Sequence, residues 1–344
     1  MPQERILLIQ LRQLGDILLT TPCLRAVRAA RPNAHLSFLS HAMGRLVLDE
    51  CPFLDEHFTF ESSWTWRQHW RLARTLRDRQ FGSVVDFMNN PRSAFFARMS
   101  GAPVRLAFRS ARWPAYSATI PKAAAAGYIV REKFRLLAAA GIPADDVRPI
   151  LPWFEGHALP FIHFFASTPD FRAARVKVAL SPTHRREVRR WPLANYAALA
   201  RRLVQQWQAA VVWIYGPGEE AVIDEVMAMC DVPTLKAPPT SLRELAAFLG
   251  NMDLFIGNSN GPSHIAVAVD IPSLQLHGPT LAVSWCPMTA RHQAVQAPLL
   301  GLTSVPTMAA VSVDMVWDKL QGMQPVILDY VAQSRATRPR LNWQ

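Results

Sequence analysis

The stretch GNSNGPSHIA, Gly257 to Ala266, lies between two apolar runs, Met252–Ile256 (MDLFI) and Ile271–Gly278 (IPSLQLHG). The first run is short, apolar and bounded by turn residues, which reads as a buried strand. Pro262 suits the first turn of a helix, where its missing N–H would have no intrahelical partner. A strand that stops at a Gly/Asn/Ser loop and restarts as a helix turns several backbone N–H groups outward. Together with the positive end of the helix dipole, those groups form a site for phosphate. The stretch therefore predicts a phosphate-bearing ligand at the carboxyl edge of a parallel sheet.

The chain around it repeats the same rhythm. Arg5–Leu11, His35–Leu39, His57–Phe60, Ser83–Met88 and Val104–Phe108 read as strands. Helical patterns separate them near residues 15–30, 41–49, 65–80 and 92–100, with Thr21 and Pro22 marking a kink or restart in the first. After a helix at Ile129–Ala140 comes a Pro-rich passage (Pro143, Pro149, Pro152, Pro160, Pro169) that reads as a linker. Val176–Ser181 restarts the alternation, followed by strands at Ala209–Gly216 and Thr234–Lys236 and helices after Pro192, from Glu219 and over Ser241–Gly250. The last residues, from Ser334, read as a basic tail after a final helix. Strand–helix alternation at this spacing predicts an α/β fold with parallel, doubly wound sheets. The expected division is residues 1–165 and 166–344, two Rossmann-like domains with a cleft between them.

At 344 residues the chain suits two domains of common size. It has no run of about 20 uninterrupted apolar residues, and MPQERILLIQL reads as a strand rather than a signal peptide, so a cytoplasmic location is expected. Cys23, Cys51, Cys230 and Cys286 are widely spaced without a CxxC pair, which predicts small core residues and no metal site. Net charge is +11, and residues 1–165 hold 21 Lys/Arg against 13 Asp/Glu, a local excess of +8. Such a field implies an anionic partner: nucleic acid, an anionic membrane face or an acidic substrate. Nucleic acid explains the charge but not the paired strand-end loops.

Those loops hold the residues able to carry chemistry. In Arg12–Asp16 (RQLGD), Asp16 stands where ligands bind in open α/β sheets, as a general base or as an ordinary helix N-cap. The loop lacks the GxGxxG pattern of dinucleotide oxidoreductases. Thr183–Pro192 (THRREVRRWP) brings Arg185, Arg186, Arg189 and Arg190 to another strand end, where arginine can grip a diphosphate and offset leaving-group charge. In Tyr215–Glu220, Glu219 or Glu220 either binds ribose hydroxyls or favours the helix N-terminus. His264 either donates to phosphate or is structural, and the His277–Thr280 loop, with Gly278 and Thr280, can meet phosphate or sugar. Trp64, Trp66 and Trp70 beside Arg67, Arg71 and Arg74 suit either an anionic membrane interface or a core helix with a solvated basic face.

Taken in order, these segments resemble the ADP-heptose:lipopolysaccharide heptosyltransferase family, glycosyltransferase family nine. Residues 5–32 (RILLIQLRQLGDILLTTPCLRAVRAARP) are similar to its N-terminal signature, RRWPLANYAALA to its central basic–Trp–Pro segment, and IGNSNGPSHIAVAVDIPSLQLHGPT to its donor-site signature. The resemblance implies a GT-B fold, with the acceptor on the N-terminal domain and the nucleotide-sugar on the C-terminal one. It implies inverting, metal-independent transfer of heptose from ADP-heptose to the lipid A–inner core of lipopolysaccharide, at the inner face of the cytoplasmic membrane. No cofactor is implied, because the ADP-sugar is a substrate. Asp16 would be the general base and Arg189 would meet the diphosphate. Thr183, Glu219, Ser259, Asn260, Gly261, Pro262, His264, Gly278 and Thr280 would bind the donor, and Arg12 and Gly15 the acceptor. The chain departs from the family pattern at Ser259-Asn260, where Asp-Thr or Asp-Ser is usual, so the donor loop lacks a carboxylate. The alternatives are another nucleotide-sugar or acceptor, and a non-catalytic nucleotide-binding paralogue.

Overall fold

Short apolar runs alternating with amphipathic helices fold here as parallel strands with helical crossovers. The computed structural model describes residues 3–337 apart from 13, 111–112, 153–156, 158–160, 162–163, 165–166, 169–170, 172 and 299–305. The chain divides into two compact units, Met1–Pro152 and Trp153–Gln344. The division read from the sequence lay at 165/166. Phe161 and Phe164 instead belong to the second unit, where both pack on Phe248 with ring centroids 5.3 and 5.9 Å away. Much of the Pro-rich linker, including Pro160 and Pro169, lies outside the described residues, as does the end of the basic tail beyond Thr337.

The first unit holds β1 (Arg5–Gln10), β2 (His35–His41), β3 (Glu56–Phe60), β4 (Ser83–Asp86), β5 (Val104–Phe108) and β6 (Ala118–Ile120). They form one parallel sheet in the order β3-β2-β1-β4-β5-β6. The second unit holds β7 (Val176–Ser181), β8 (Ala209–Trp213), β9 (Leu235–Lys236), β10 (Leu254–Asn258), β11 (Ser273–His277) and β12 (His292–Gln296). Their order is β12-β11-β10-β7-β8-β9, again all parallel. Counted from its own first strand, each sheet runs 3-2-1-4-5-6, the Rossmann order. Its direction reverses between β1 and β4 in one unit and between β7 and β10 in the other. Ligands in such sheets bind outside the carboxyl ends of the strands at that reversal.

Helices cover both faces of each sheet, so the central strands are buried and read as continuous apolar runs. Leu7, Leu8 and Ile9 of β1 and Leu254, Phe255 and Ile256 of β10 are fully buried. In the second unit Trp191, Tyr196 and Trp213 join this core, Tyr196 edge-on to both rings. Gly257 is required by close approach: a Cβ there would lie 2.8 Å from the Ser181 Cβ and 3.0 Å from its carbonyl oxygen. Three cysteines are buried and Cys230 half-buried, all with free thiols.

Three local features differ from the sequence reading. The first helix does break, into Leu14–Leu18 and Thr21–Ala30. Thr20 rather than Thr21 holds the N-cap position of its second part, and neither hydroxyl caps it: Thr20 donates to the Asp16 carbonyl and Thr21 to the Leu18 carbonyl, each over 2.7 Å. β10 also starts and ends two residues later than its apolar run, so Asn258 belongs to the strand. Edge strands β6 and β12 escaped notice, being short or mixed with polar residues.

Candidate active site

At the reversal of the second sheet, two asparagines tie the loop after β10 to the loop after β7. Asn258 is fully buried. Its Oδ1 accepts from the Trp191 N–H (3.0 Å), and its Nδ2 donates to the carbonyls of Pro182 (3.0 Å) and Thr183 (3.3 Å). Asn260 is the N-cap of the helix Gly261–Ala268: its Oδ1 accepts from the Ser263 N–H, while its own N–H donates to the Ser263 hydroxyl, each over 3.2 Å. Its Nδ2 reaches back to the Thr183 carbonyl over 2.9 Å. The predicted strand–loop–helix turn is thus present, with Pro262 in the first turn of the helix. A Cβ at Gly261 would meet nothing within 4 Å, so the chain there is open to a ligand. Thr183 is buried and takes part through its carbonyl. Ser259 is fixed by its N–H to the Leu276 carbonyl (3.2 Å).

The structure sorts the four arginines of the β7 loop. Arg185 and Arg186 are exposed. Arg190 is half-buried and donates through Nε to the His184 carbonyl over 2.6 Å, closing its own loop. Arg189 is half-buried and, among the described residues, has no carboxylate partner. Burial, then the charges of Arg186 and Arg185, hold its guanidinium below its ordinary value. Its charge reaches His184 and His277, each already pushed down chiefly by burial, His277 to about 4. His277 is thus a neutral ring at the carboxyl end of β11, with Nδ1 3.4 Å from the Thr280 hydroxyl.

The remaining predicted donor residues have local tasks as well. A Cβ on Gly278 would lie 2.8 Å from the Met308 sulfur, so glycine serves packing there. His264 is buried, its ring 6.2 Å from that of Trp285. Glu219 turns back on its own loop, its Oε2 accepting from the Gly216 N–H over 2.9 Å.

At the reversal of the first sheet, Asp16 lies inside the first turn of the helix Leu14–Leu18, and so is not its N-cap. It is half-buried, and among the described residues its carboxylate has no hydrogen-bond partner. Its main-chain oxygen accepts from the Lys133 ammonium over 3.0 Å, and that ammonium also donates to the Thr20 hydroxyl over 2.6 Å. Burial pushes Lys133 down to about 8, against the opposing pull of Asp16. Gly15 lies in the same turn, and its carbonyl accepts from the Leu19 N–H over 2.9 Å. Arg12 is exposed and borders a pocket of about 290 Å³ with His41, Phe60, Asn90 and Arg92. The adjoining loop after β4 is shaped by Asp86, which is fully buried and accepts from the Tyr116 hydroxyl (2.6 Å) and the Met88 N–H (2.8 Å). Burial raises its carboxyl above the ordinary range.

The family model for glycosyltransferase family 9 (heptosyltransferase) matches residues 69–304. The chain belongs to that family. It is therefore a glycosyltransferase. Lipopolysaccharide heptosyltransferase 3 of Escherichia coli is 24% identical over 291 residues, spanning 79% of this chain and 83% of the relative. Among solved structures, a family 9 glycosyl transferase from Veillonella parvula superposes with a TM-score of 0.81 at 18% identity, covering 94% of this chain and 98% of the other. E. coli heptosyltransferase WaaC with ADP superposes with a TM-score of 0.71 at 17% identity, covering 94% and 99%. These likenesses carry the fold, GT-B with two Rossmann-like units. Among the described residues no helix is long and apolar enough to cross a membrane.

Three site residues of this family 9 chain were absent from the sequence reading. Asn258 was counted as loop, although an asparagine ending an apolar strand is itself a signal of a buried polar tie. Lys133 stands in the pattern REKFR, indistinguishable locally from a solvated helix face. Asp86 ends the strand Ser83–Asp86 and was read as an ordinary strand residue.

Proposed function

We propose that this family 9 glycosyltransferase moves heptose from ADP-heptose to the inner core of lipopolysaccharide, with inversion and without a metal ion. Asp16 takes the proton of the acceptor hydroxyl. The oxygen attacks the anomeric carbon from the face opposite the diphosphate, the bond from that carbon to the diphosphate oxygen breaks, and ADP leaves. Arg189 meets the charge that develops on the diphosphate, the task a cation would otherwise perform, assisted by backbone N–H groups at the start of the Gly261–Ala268 helix. Thr183, Ser259, Pro262, His264 and the Gly278–Thr280 loop complete the donor side, with Glu219 beside them, and Arg12 and Gly15 the acceptor side.

The observation that carries this reading is the unpartnered Asp16 carboxylate at the reversal of the first sheet. A carboxylate held in a helical turn but left without a hydrogen-bond donor is available to accept a proton. The relative solved with ADP supports a nucleotide on the family fold. The local excess of +8 in residues 1–165 suits an acidic glycolipid acceptor at the inner face of the cytoplasmic membrane, and the exposed Arg67, Arg71 and Arg74 suit peripheral contact with it.

Incubation with ADP-heptose and a truncated core acceptor, followed by product mass, tests the reading. Asp16→Asn should abolish product while ADP affinity stays near that of the parent. Full activity in that variant would remove Asp16 as base. One observation favours a second reading: Ser259 replaces the usual carboxylate, and the Asn260 amide is committed to Thr183. A panel of other nucleotide-sugars therefore belongs in the same assay. Binding of ADP without turnover of any donor would mark a non-catalytic paralogue.

A further inference from the structure

Beyond the Arg12 pocket, the first unit has a second and larger one of about 510 Å³, lined by Trp64, Trp66, His69, Asn90, Arg92 and Phe95. The two pockets share Asn90 and Arg92 as a common wall, so they follow one another along the carboxyl edge of the first sheet. The larger falls in the ~300–1,000 Å³ range of small-molecule sites. Trp66 is 72% exposed, although tryptophan is on average a highly buried residue. It is held in place by Phe95, which packs edge-on to it with centroids 6.1 Å apart. The Arg92 guanidinium is braced over the Phe60 ring, 5.2 Å from its centroid.

His69 forms part of the pocket wall. The ring is 7% exposed and stacks on Phe96 at 6.0 Å, and Nδ1 donates to the Thr65 carbonyl over 3.0 Å. That bond fixes the tautomer and leaves Nε2 as an acceptor, buried and with no hydrogen-bond donor among the described residues.

We propose that this pocket is a second acceptor subsite, which takes the saccharide ring next to the one that receives the transferred sugar, a ring bearing a carboxylate or phosphate. The inference rests on the reading of the first unit as the acceptor side. The C–H face of a pyranose carries partial positive charge and suits the negative face of an indole. Arg92 pairs with the acid group. An acyl chain would leave the Arg92 guanidinium without a counter-charge. The mixed lining therefore favours sugar over lipid.

Calorimetry with two lipid-free probes tests this: a deacylated inner-core oligosaccharide, and the single acidic ring that accepts the sugar. Trp66 is exposed, so Trp66→Ala should fold, and thermal unfolding verifies that it does. Its affinity for the oligosaccharide should fall about fivefold to tenfold. The ratio of oligosaccharide to single-ring affinity should fall with it, and Trp66→Phe should recover part of the difference. An unchanged oligosaccharide affinity, or an equal loss for both probes, overturns the subsite. So does an effect of Trp66→Ala confined to co-sedimentation with anionic vesicles, which would make the tryptophan a membrane contact. If the oligosaccharide binds through Trp66 but is never glycosylated with ADP-heptose, the subsite stands and the donor assignment fails.

Discussion

The Lys133 ammonium is buried beneath the candidate base, donating to the main-chain oxygen of Asp16 over 3.0 Å. It holds the turn that carries the carboxylate. Lys133→Met keeps the length of the side chain and removes the donor. It should lower kcat about tenfold and leave ADP affinity near that of the parent, because one hydrogen bond to a charged group is worth about 1.5–3 kcal/mol. Steady-state kinetics beside ADP titration checks this, and equal loss in both would make Lys133 merely structural.

The same lysine gives a stability signature. Its folded pKa of about 8 lies below the ordinary lysine value, so between pH 8 and the ordinary value the unfolded chain binds more protons than the folded one. Stability from this group therefore rises with pH across that window, by on the order of 3 kcal/mol. Denaturant unfolding at pH 8 and pH 10 should show the rise in the parent and its absence in Lys133→Met.

Arg189 and Arg185 sit in one loop but in different surroundings, half-buried and exposed. Arg189→Ala should weaken ADP binding about 10-fold to 100-fold, the value of a charge-assisted contact, and slow turnover. Arg185→Ala should shift both far less, since an exposed charge is screened. Equal effects of the two would return Arg189 to the solvated surface.

Asn258 makes three hydrogen bonds across 67 to 76 residues of sequence. Asn258→Ala leaves the Trp191 N–H and the Pro182 carbonyl short of partners, while the Thr183 carbonyl keeps Asn260, and should cost about 2–4 kcal/mol in denaturant unfolding. Asn258→Asp should be at least as damaging at pH 7, because it sets a buried carboxylate against the Pro182 and Thr183 carbonyls. A neutral result for both would show that the loops hold together without it.

His277 titrates near 4 when folded, below its ordinary value of about 6.5, chiefly because it is buried. Between those values the unfolded chain binds the extra proton, so stability falls as pH drops through the window, by on the order of 3 kcal/mol. His57 and His184 are shifted the same way, also chiefly by burial. His277→Gln should flatten part of the acid limb of an unfolding-versus-pH curve. An identical limb in that variant would put the acid sensitivity elsewhere.

Much of the fold was legible because strands and helices leave local marks. Val176–Ser181 and Val104–Phe108 were read at their observed bounds. Pro262 announced the helix that starts at Gly261, since first-turn chemistry acts within a few residues. The β6 edge strand spans only three residues and offered too little pattern. The arginine run was legible as charge, but not the sorting of Arg189 from Arg185, which depends on what packs around each.

By itself the sequence determined the parallel α/β class, the strand-end loops and the family, because hydrophobic period, turn residues and motif order all lie along the chain. Tertiary structure alone decided which loops share an edge. Strand order sets β1 beside β4 and β7 beside β10, which brings Asn258 to Trp191 and builds a ligand-ready edge from segments far apart in sequence. It also buried Lys133 beneath Asp16. Burial and long-range pairing are properties of the packed chain, and no local residue pattern encodes them.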